Sequence, residues 1–562
     1  MVYFIAVRDD GTGSRLISLL NTFYLCDKIT SSDKNVRFFW NDKVVLYKTA
    51  VSADPGNNFK NIGDQKVIGS SIEPKEEIFD KSFIEQFFIE NKYNYNTNWL
   101  FENRSYPKDI FEISSWNGQI TIEKIKELFN QKKYNYFFVH HNDLARELNL
   151  DYEDYRSKTS YYWNKIVFTK RFQNIIHLVE KKIRQMKEDY HVIHLRSGDS
   201  IYSYCNLRKF NLQSIFHATC YEIAIGIVQK ILKSEKVVIV GDDIDSISQL
   251  VNFLNKENIV SIENFRDSQQ FSTLELFIFD VVFMSKAKSI YGTFSAVARL
   301  SEMINNDVKL YNYYNIFNDE IKYEILKSNL FKLDLHPDQK AFSLFHVYLL
   351  ARKNNEKLSV LLDYLNKALE YDCENDKYRL HIIDCLLQFK ELNKAEDTLS
   401  DYLKNREKEI LETFFLHGWD GIVFYSMFDA YFFKENYKYP NIFFMSRQIL
   451  KNGFGAEYHI KQHLSWKIGE ALVCCKTAKS YMLLPFNLTK IILQWKKNRK
   501  EINSKLLLSE YKDYYKVDKI KNYFTYQLGS LVVCLFKNWY KGEIFKFPFK
   551  IYFLLKKNKK RG

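Results

Sequence analysis

Proline and glycine are scarce in this chain, with 7 Pro and 18 Gly among 562 residues. Collagen-like, low-complexity and linker-dominated architectures are built on those two residues and are excluded. Cysteine is also infrequent, with 8 residues. Its eight positions are Cys26, Cys205, Cys220, Cys373, Cys385, Cys474, Cys475 and Cys534, and no two have the C-x-x-C spacing of a zinc knuckle or redox pair. Nor do they form the dense pattern of a disulfide-stapled secreted domain. No apolar run approaches the roughly 18 residues needed to span a bilayer. The opening Met1–Val7 is apolar but short, without the basic lead of a secretory signal. These absences suggest a reducing, cytoplasmic setting.

Present instead is an ordinary globular balance, 46% hydrophobic and 27% charged residues, which excludes a wholly disordered chain. The length calls for about two to four domains. Phe (46) and Tyr (39) are abundant, but Lys, Asn and Ile rise with them, the signature of an AT-rich genome. The aromatic excess therefore carries little functional weight.

Charge is unevenly spread. Residues 465–562 hold 22 Lys and Arg against 6 Asp and Glu, a surplus of 16, so the other 464 residues carry −2 of the net +14. The basic tail also repeats itself. Trp466/Tyr526, Gly469/Gly529, Cys474/Cys534 and the Lys-Lys-Asn triplets recur at a spacing of 60, and Pro485-Phe486 matches Pro548-Phe549 after a small shift. Large apolar groups beside Lys suit the headgroup boundary of an anionic membrane. Packed helical hairpins with solvated basic faces are the plainer alternative. Nucleic acid is not expected, since no helix-turn-helix, zinc-finger or RNA-recognition signature is present.

The N-terminus reads as strand (Val2–Val7), turn (Asp9–Gly13), helix (Leu16, Leu19, Leu20, Phe23) and strand (Val36–Trp40), a βαβ unit. Residues 41–133 read as irregular. A second α/β block follows: helix Asn174–Lys187, strand Tyr190–Leu195, polar turn Arg196–Ser200, strand Lys236–Val240, helix Leu274–Met284, strand Lys288–Tyr291 and helix Ala296–Ile304. Strands ending in polar turns before helices predict open parallel sheets, whose ligands bind at the strands' carboxyl ends. Helices alone follow, at Phe342–Lys353, Leu358–Tyr371, Lys377–Phe389 and Leu392–Leu403. They form two pairs about 34 residues apart, as in tetratricopeptide arrays. So short an array could brace a neighbouring domain or offer a groove to a protein partner.

The chemistry should sit at His194-Leu195-Arg196-Ser197-Gly198-Asp199, closing a buried strand. Arg can make two parallel charge-assisted bonds to a phosphate. Val237–Val240 ends in Gly241-Asp242-Asp243, and a carboxylate there can accept from the amide edge of guanine. Gly292-Thr293-Phe294-Ser295 opens a helix whose amides and hydroxyls suit phosphate.

In this order, HxRxGD, GDD and DxxFMSKAxxIxGTFS resemble the fucosyltransferase-like superfamily of inverting glycosyltransferases. That superfamily includes the α1,6- and α1,2-fucosyltransferases, the protein O-fucosyltransferases and the rhizobial nodulation enzymes. Gly11-Thr12-Gly13-Ser14-Arg15-Leu16 is similar to its first Gly-rich loop, with Ser14 for the usual Asn. The resemblance covers about residues 1–320 and rests on these motifs. It implies a GT-B-like pair of Rossmann-type lobes and a GDP-sugar donor without a metal. It also implies that Arg196 binds the diphosphate and His194 lies at the nucleotide. Asp242 or Asp243 would read guanine, and Thr293, Phe294 and Ser295 would close on the phosphates. Gly11, Gly13 and Arg15 would complete the donor site. Ser197 stands where many relatives have a second Arg, as in the protein O-fucosyltransferase pattern. The Glu that serves as candidate base in the α1,6 enzymes has no counterpart in Ser200-Ile201-Tyr202-Ser203-Tyr204. Asp10 and Asp199 are the candidates left, and either can equally be a turn residue. The SWKIGEAL of the tail also looks like segments of bacterial capsule and lipopolysaccharide transferases.

The expected layout is an N-terminal acceptor-side lobe (1–170), a donor lobe (171–330), a helical-repeat region (331–410), a link (411–464) and the basic α-helical tail (465–562). The expected protein is an inverting glycosyltransferase peripheral on the inner face of the cell membrane. It would pass a fucose-like sugar from a GDP-sugar to a surface glycan or lipid-linked oligosaccharide. Two rivals remain. One is a metal-dependent single-lobed (GT-A) transferase using Asp243-Ile244-Asp245, in which Asp245 otherwise caps the following helix. The other is a non-catalytic scaffold with a degenerate sugar-nucleotide fold.

Overall fold

The computed structural model describes residues 2–8, 11–41, 59–62, 65–69, 72–90, 108–113, 120–202, 207–215, 218–418, 420–421, 423–431, 438–452, 456–475, 477–502, 511, 514–538, 540 and 542–559. The chain folds as two compact units, Met1–Arg379 with His417–Asp420, and Leu380–Leu416 with Gly421–Gly562. The division falls inside the segment 331–410 read as one helical region.

The strands are β1 (Tyr3–Ala6), β2 (Val36–Phe38), β3 (Phe59–Ile62), β4 (Gln65–Ile68), β5 (Ile110–Ile113), β6 (Tyr136–Val139), β7 (His191–Leu195), β8 (Val237–Gly241), β9 (Ile259–Ser261), β10 (Ser289–Gly292) and β11 (Lys309–Asn312). Two parallel sheets hold the first unit. The first has the order β2-β1-β6-β5, the second β11-β10-β7-β8-β9. The expected pair of Rossmann-type lobes is therefore present, followed by an all-α region.

Alternation along the first sheet divides its side chains between two faces. Phe4, Ala6, Phe137 and Val139 pack with Leu16, Leu19, Leu20 and Phe23 of the helix Thr12–Thr30. Ile5, Val7, Phe39, Ile110 and Phe138 form the opposite face. In the second sheet β8 is buried at all five residues, because parallel strands are covered on both sides. The helix Thr273–Ser285 beside it is apolar almost all round, and a reciprocal capping box of Ser272 and Glu275 starts it.

The observed elements depart from the sequence pattern in four places. Gly13 lies inside a helix that already starts at Thr12, and the turn expected over Arg196–Ser200 becomes helical at Gly198–Tyr202. Residues 41–133, read as irregular, contain β3, β4, β5 and the helices Lys75–Ile78, Lys81–Phe87 and Ile122–Asn130. The fourth repeat helix runs on to Phe414 through a kink at Arg406. The first repeat helix, Pro337–Lys353, is tied to the second lobe. Its Gln339 Nε2 donates to Ser197 Oγ at 2.6 Å and its Ser343 Oγ to Glu222 at 2.8 Å.

Candidate functional site

Three neighbouring strands of the second sheet end at one place. After β7 come the buried His194 and the partly exposed Arg196. After β8 come Asp242 and Asp243, and after β10 Thr293, Phe294 and Ser295. His194 is 5% exposed, and burial, followed by the nearby Arg196 charge, drives its pKa down to about 3. It is a neutral imidazole at physiological pH, so the positive charge here belongs to Arg196. Tyr313 donates its hydroxyl to the His194 carbonyl and fixes that strand end.

Ser295 caps the helix Ala296–Met303 by accepting from the Ala298 amide at 3.3 Å. Phe294 is exposed and Thr293 buried. The start of that helix faces the start of Thr12–Thr30 in the other lobe: a β-carbon built on Gly13 would lie 3.1 Å from that of Ala296. Gly13 eases this approach, since a side chain there would be a tight contact with Ala296. The helices that follow β1 and β10 therefore meet at their first turns. Helix amides and an arginine are suited to an anion.

The adjacent aspartates divide between two tasks. Asp243 is fully buried. Its Oδ1 accepts from the Ser246 amide at 3.0 Å, and its Oδ2 accepts from Ser246 Oγ at 2.7 Å and from the Tyr202 hydroxyl. Thus Asp243, not Asp245, caps the helix Ile244–Leu254, and Asp245 lies in its first turn. Asp242 is partly exposed and accepts from the Ser197 amide at 2.9 Å. Of the pair, only Asp242 leaves its carboxylate partly exposed. Gly198, at φ +31°, allows this contact, since a β-carbon there would stand 2.4 Å from Asp242 Oδ2.

Other expected residues lie elsewhere. Arg15 is wholly buried, donates to the Asn41 carbonyl and stacks 4.8 Å from the Trp40 ring centroid. These contacts hold the first lobe together and leave the guanidinium buried. Gly11 precedes the helix with open space around it. Asp10 and the side chain of Asp199 lie outside the described residues. Among the described residues no cluster of three or more His, Cys, Asp or Glu could hold a metal ion.

The hairpin β3–β4 was not expected at this site. Ile68 donates its amide to the Asp242 carbonyl at 2.7 Å, and Val67 bridges Asp243. Gly63-Asp64 between the two short runs is the hairpin signal the sequence carries.

The second unit ends in two structural copies. Ala456–Lys461, Leu464–Val473 and Ala478–Ile502 correspond to Tyr515–Lys521, Phe524–Asn538 and Glu543–Lys559. The middle helices cross at the matched glycines. A β-carbon on Gly469 would sit 1.8 Å from the Thr525 carbonyl oxygen, and one on Gly529 would sit 1.7 Å from that of Ser465. The contacts are reciprocal. His463 Nδ1 lies 3.4 Å from the Tyr526 hydroxyl, and the rings of their counterparts Tyr523 and Trp466 meet tilted at 53° with centroids 6.4 Å apart. Pro485 and Pro548 lie within the long last helices. Along those helices Met482, Phe486 and Leu493, and Phe545, Phe549 and Phe553, form stripes 62–80% exposed. No helix among the described residues is long and apolar enough to cross a membrane.

A family described as a domain of unknown function, DUF8374, matches residues 326–561, which take in the helical regions and neither sheet. Searching the curated proteins yields no match. Among solved structures, the fucosyltransferase NodZ from Bradyrhizobium aligns at 13% identity over 53% of this chain and 91% of its own, with a TM-score of 0.28. A NodZ α1,6-fucosyltransferase soaked with GDP-fucose aligns at 14% over 54% and 92%, with a TM-score of 0.27. These alignments carry no argument, and the fold stands on the sheets described above.

Proposed function

We propose that the chain is an inverting glycosyltransferase, passing fucose or a related deoxyhexose from a GDP-sugar to a bacterial surface glycan or lipid-linked oligosaccharide. The observation that carries this reading is the meeting of Arg196, Asp242 and the Thr293–Ser295 helix start at adjoining strand ends, with the first turn of the Gly13 helix packed against that helix start. Arg196 neutralises the departing diphosphate, the helix starts hold its oxygens, and Asp242 accepts from guanine. No metal takes part in this reading. The rival Asp243-Asp245 site does not fit a metal, because both Asp243 oxygens are already bonded inside the protein.

Arg196→Ala tests the donor site. Loss of a charged hydrogen-bonding group should cost about 2–4 kcal/mol, or about 30- to 1000-fold in GDP affinity by calorimetry. Arg196→Lys should recover little, since Lys lacks the fork geometry. Undiminished GDP affinity in folded Arg196→Ala would refute the assignment. Binding without any transfer would favour the scaffold reading.

The basic tail docks on the inner face of the membrane, and this is where a lipid-linked acceptor would be met. The exposed stripes of the two last helices enter the headgroup boundary while lysines such as Lys490, Lys496, Lys546 and Lys550 meet lipid phosphates. The full chain should co-sediment with phosphatidylglycerol vesicles, less so as salt rises, and weakly with phosphatidylcholine. Equal binding to both would contradict the electrostatic part.

A further inference from the structure

Asp10 and the side chain of Asp199, the candidate bases read from the sequence, lie outside the described residues, and the first lobe holds a polar pair that nothing above has used. Glu112 is the third residue of β5 and His140 directly follows β6. Glu112 pairs with Phe138 across the strands, so His140 is its diagonal neighbour on the same face. That face is otherwise apolar, made of Ile5, Val7, Phe39, Ile110 and Phe138. Both polar residues are only 7% exposed, and His140 Nε2 lies 2.9 Å from Glu112 Oε1. The contact is short without linear hydrogen-bond alignment, and His140 Nδ1 has no hydrogen-bond partner among the described residues. Loosely aligned pairs of this kind are common in sites without their substrate.

Burial of such a pair is costly, and an apolar pair of similar size would pack this face at least as well. Its position supplies the reason for it. In the order β2-β1-β6-β5 the chain leaves β1 towards β2 on one side, while β6 lies on the other. β1 and β6 end side by side at the carboxyl edge of the sheet, the edge at which open parallel sheets bind ligands. His140 is at that edge. Asn21 of the helix Thr12–Thr30 donates to the His140 carbonyl at 2.8 Å, and Ser18 of the same helix donates to that of Val139 at 2.7 Å. This helix is the one whose first turn meets Ala296 of the donor lobe.

We infer that His140 is the general base of the transfer, with Glu112 as its positioning residue. The inference rests on the donor reading above. The acceptor hydroxyl gives its proton to Nδ1 of His140 while its oxygen forms the bond to the anomeric carbon. The bond from that carbon to the donor phosphate breaks, and its electron pair leaves with GDP towards Arg196. The Glu112 carboxylate holds the imidazolium that forms, as carboxylates do beside catalytic histidines.

The test uses the full chain with GDP-fucose, water serving as the acceptor, and with GDP alone for binding. His140→Gln should lower hydrolysis about 100- to 10,000-fold and leave GDP affinity within about twofold. Glu112→Gln should lower hydrolysis by less, again without loss of GDP. Imidazoles added to His140→Gly should restore turnover, the rate rising with their basicity, a response that packing alone would not produce. Hydrolysis unchanged in folded His140→Gln overturns the assignment. So does loss of GDP affinity in step with turnover, or rescue that ignores basicity. Should His140→Gly not fold, His140→Gln and Glu112→Gln decide the matter. A native chain that binds no GDP overturns the donor reading and this inference with it, whereas one that binds GDP but turns over independently of His140 overturns the inference alone.

Discussion

Gly469→Ala is the sharpest perturbation of the tail. The added carbon would stand 1.8 Å from the Thr525 carbonyl oxygen, 2.8 Å from its carbon and 3.2 Å from the Gly529 nitrogen. All three are backbone atoms in a facing helix, so no side chain can swing away. A carbon and a carbonyl oxygen ordinarily approach to about 3.3 Å, which means the helices Leu464–Val473 and Phe524–Asn538 must part by about 1.5 Å. Overpacking of this kind costs about 1–3 kcal/mol. Amide hydrogen exchange read by mass spectrometry on peptides from the two helices should therefore quicken about 5- to 150-fold in both. Gly529→Ala, whose carbon would stand 1.7 Å from the Ser465 oxygen, should do the same. The double variant gives the stricter check. Either substitution alone already separates the helices, so the second should add much less than the first. Full additivity, or faster exchange in the substituted helix only, would refute the reciprocal crossing.

Two further outcomes are expected. Gly198→Ala combines a positive φ with a β-carbon 2.4 Å from Asp242 Oδ2, so it should displace that carboxylate and weaken GDP binding by about tenfold or more, measured by calorimetry. Unchanged affinity would remove Asp242 from the donor site. Burial holds the pKa of His194, and likewise that of His346, at about 3 against an ordinary 6.5. The unfolded chain then binds more protons than the folded one below pH 6.5, and stability is lost as pH falls from there towards 3. Each histidine should contribute about 1.4 kcal/mol per pH unit well below its unfolded value. Urea titrations of His194→Gln should show a shallower loss, and an unchanged slope would contradict its burial as a neutral ring.

Much of the second lobe was legible because its strands are continuous apolar runs with polar ends. Val237–Val240, His191–Leu195 and Ser289–Gly292 announce themselves, and the capped helix after Ser295 follows. The interval 41–133 was not legible, because its strands have only four residues each and alternate weakly. The order of the aspartates was also invisible: Asp242 and Asp243 are chemically identical neighbours, and only their opposite directions from the strand end separate a partly exposed carboxylate from a buried cap. Arg15 misleads for a related reason. A cation in a Gly-rich loop suggests phosphate, yet one helical turn directs it under Trp40 instead.

The sequence by itself determined the local features: parallel-sheet strands, helix starts, the basic bias of residues 465–562, and a repeat at a spacing of 60. These depend on neighbours within a few residues, or on a copy of the same text. Only the tertiary structure decided which groups meet. Gly13 reaches Ala296, Gln339 reaches Ser197, and Glu112 reaches His140, each across long stretches of chain. The repeat shows the division most clearly. Matching Gly469 to Gly529 needs only the sequence, but the purpose of the match is the absence of a side chain where two backbones touch, and that contact exists only in three dimensions.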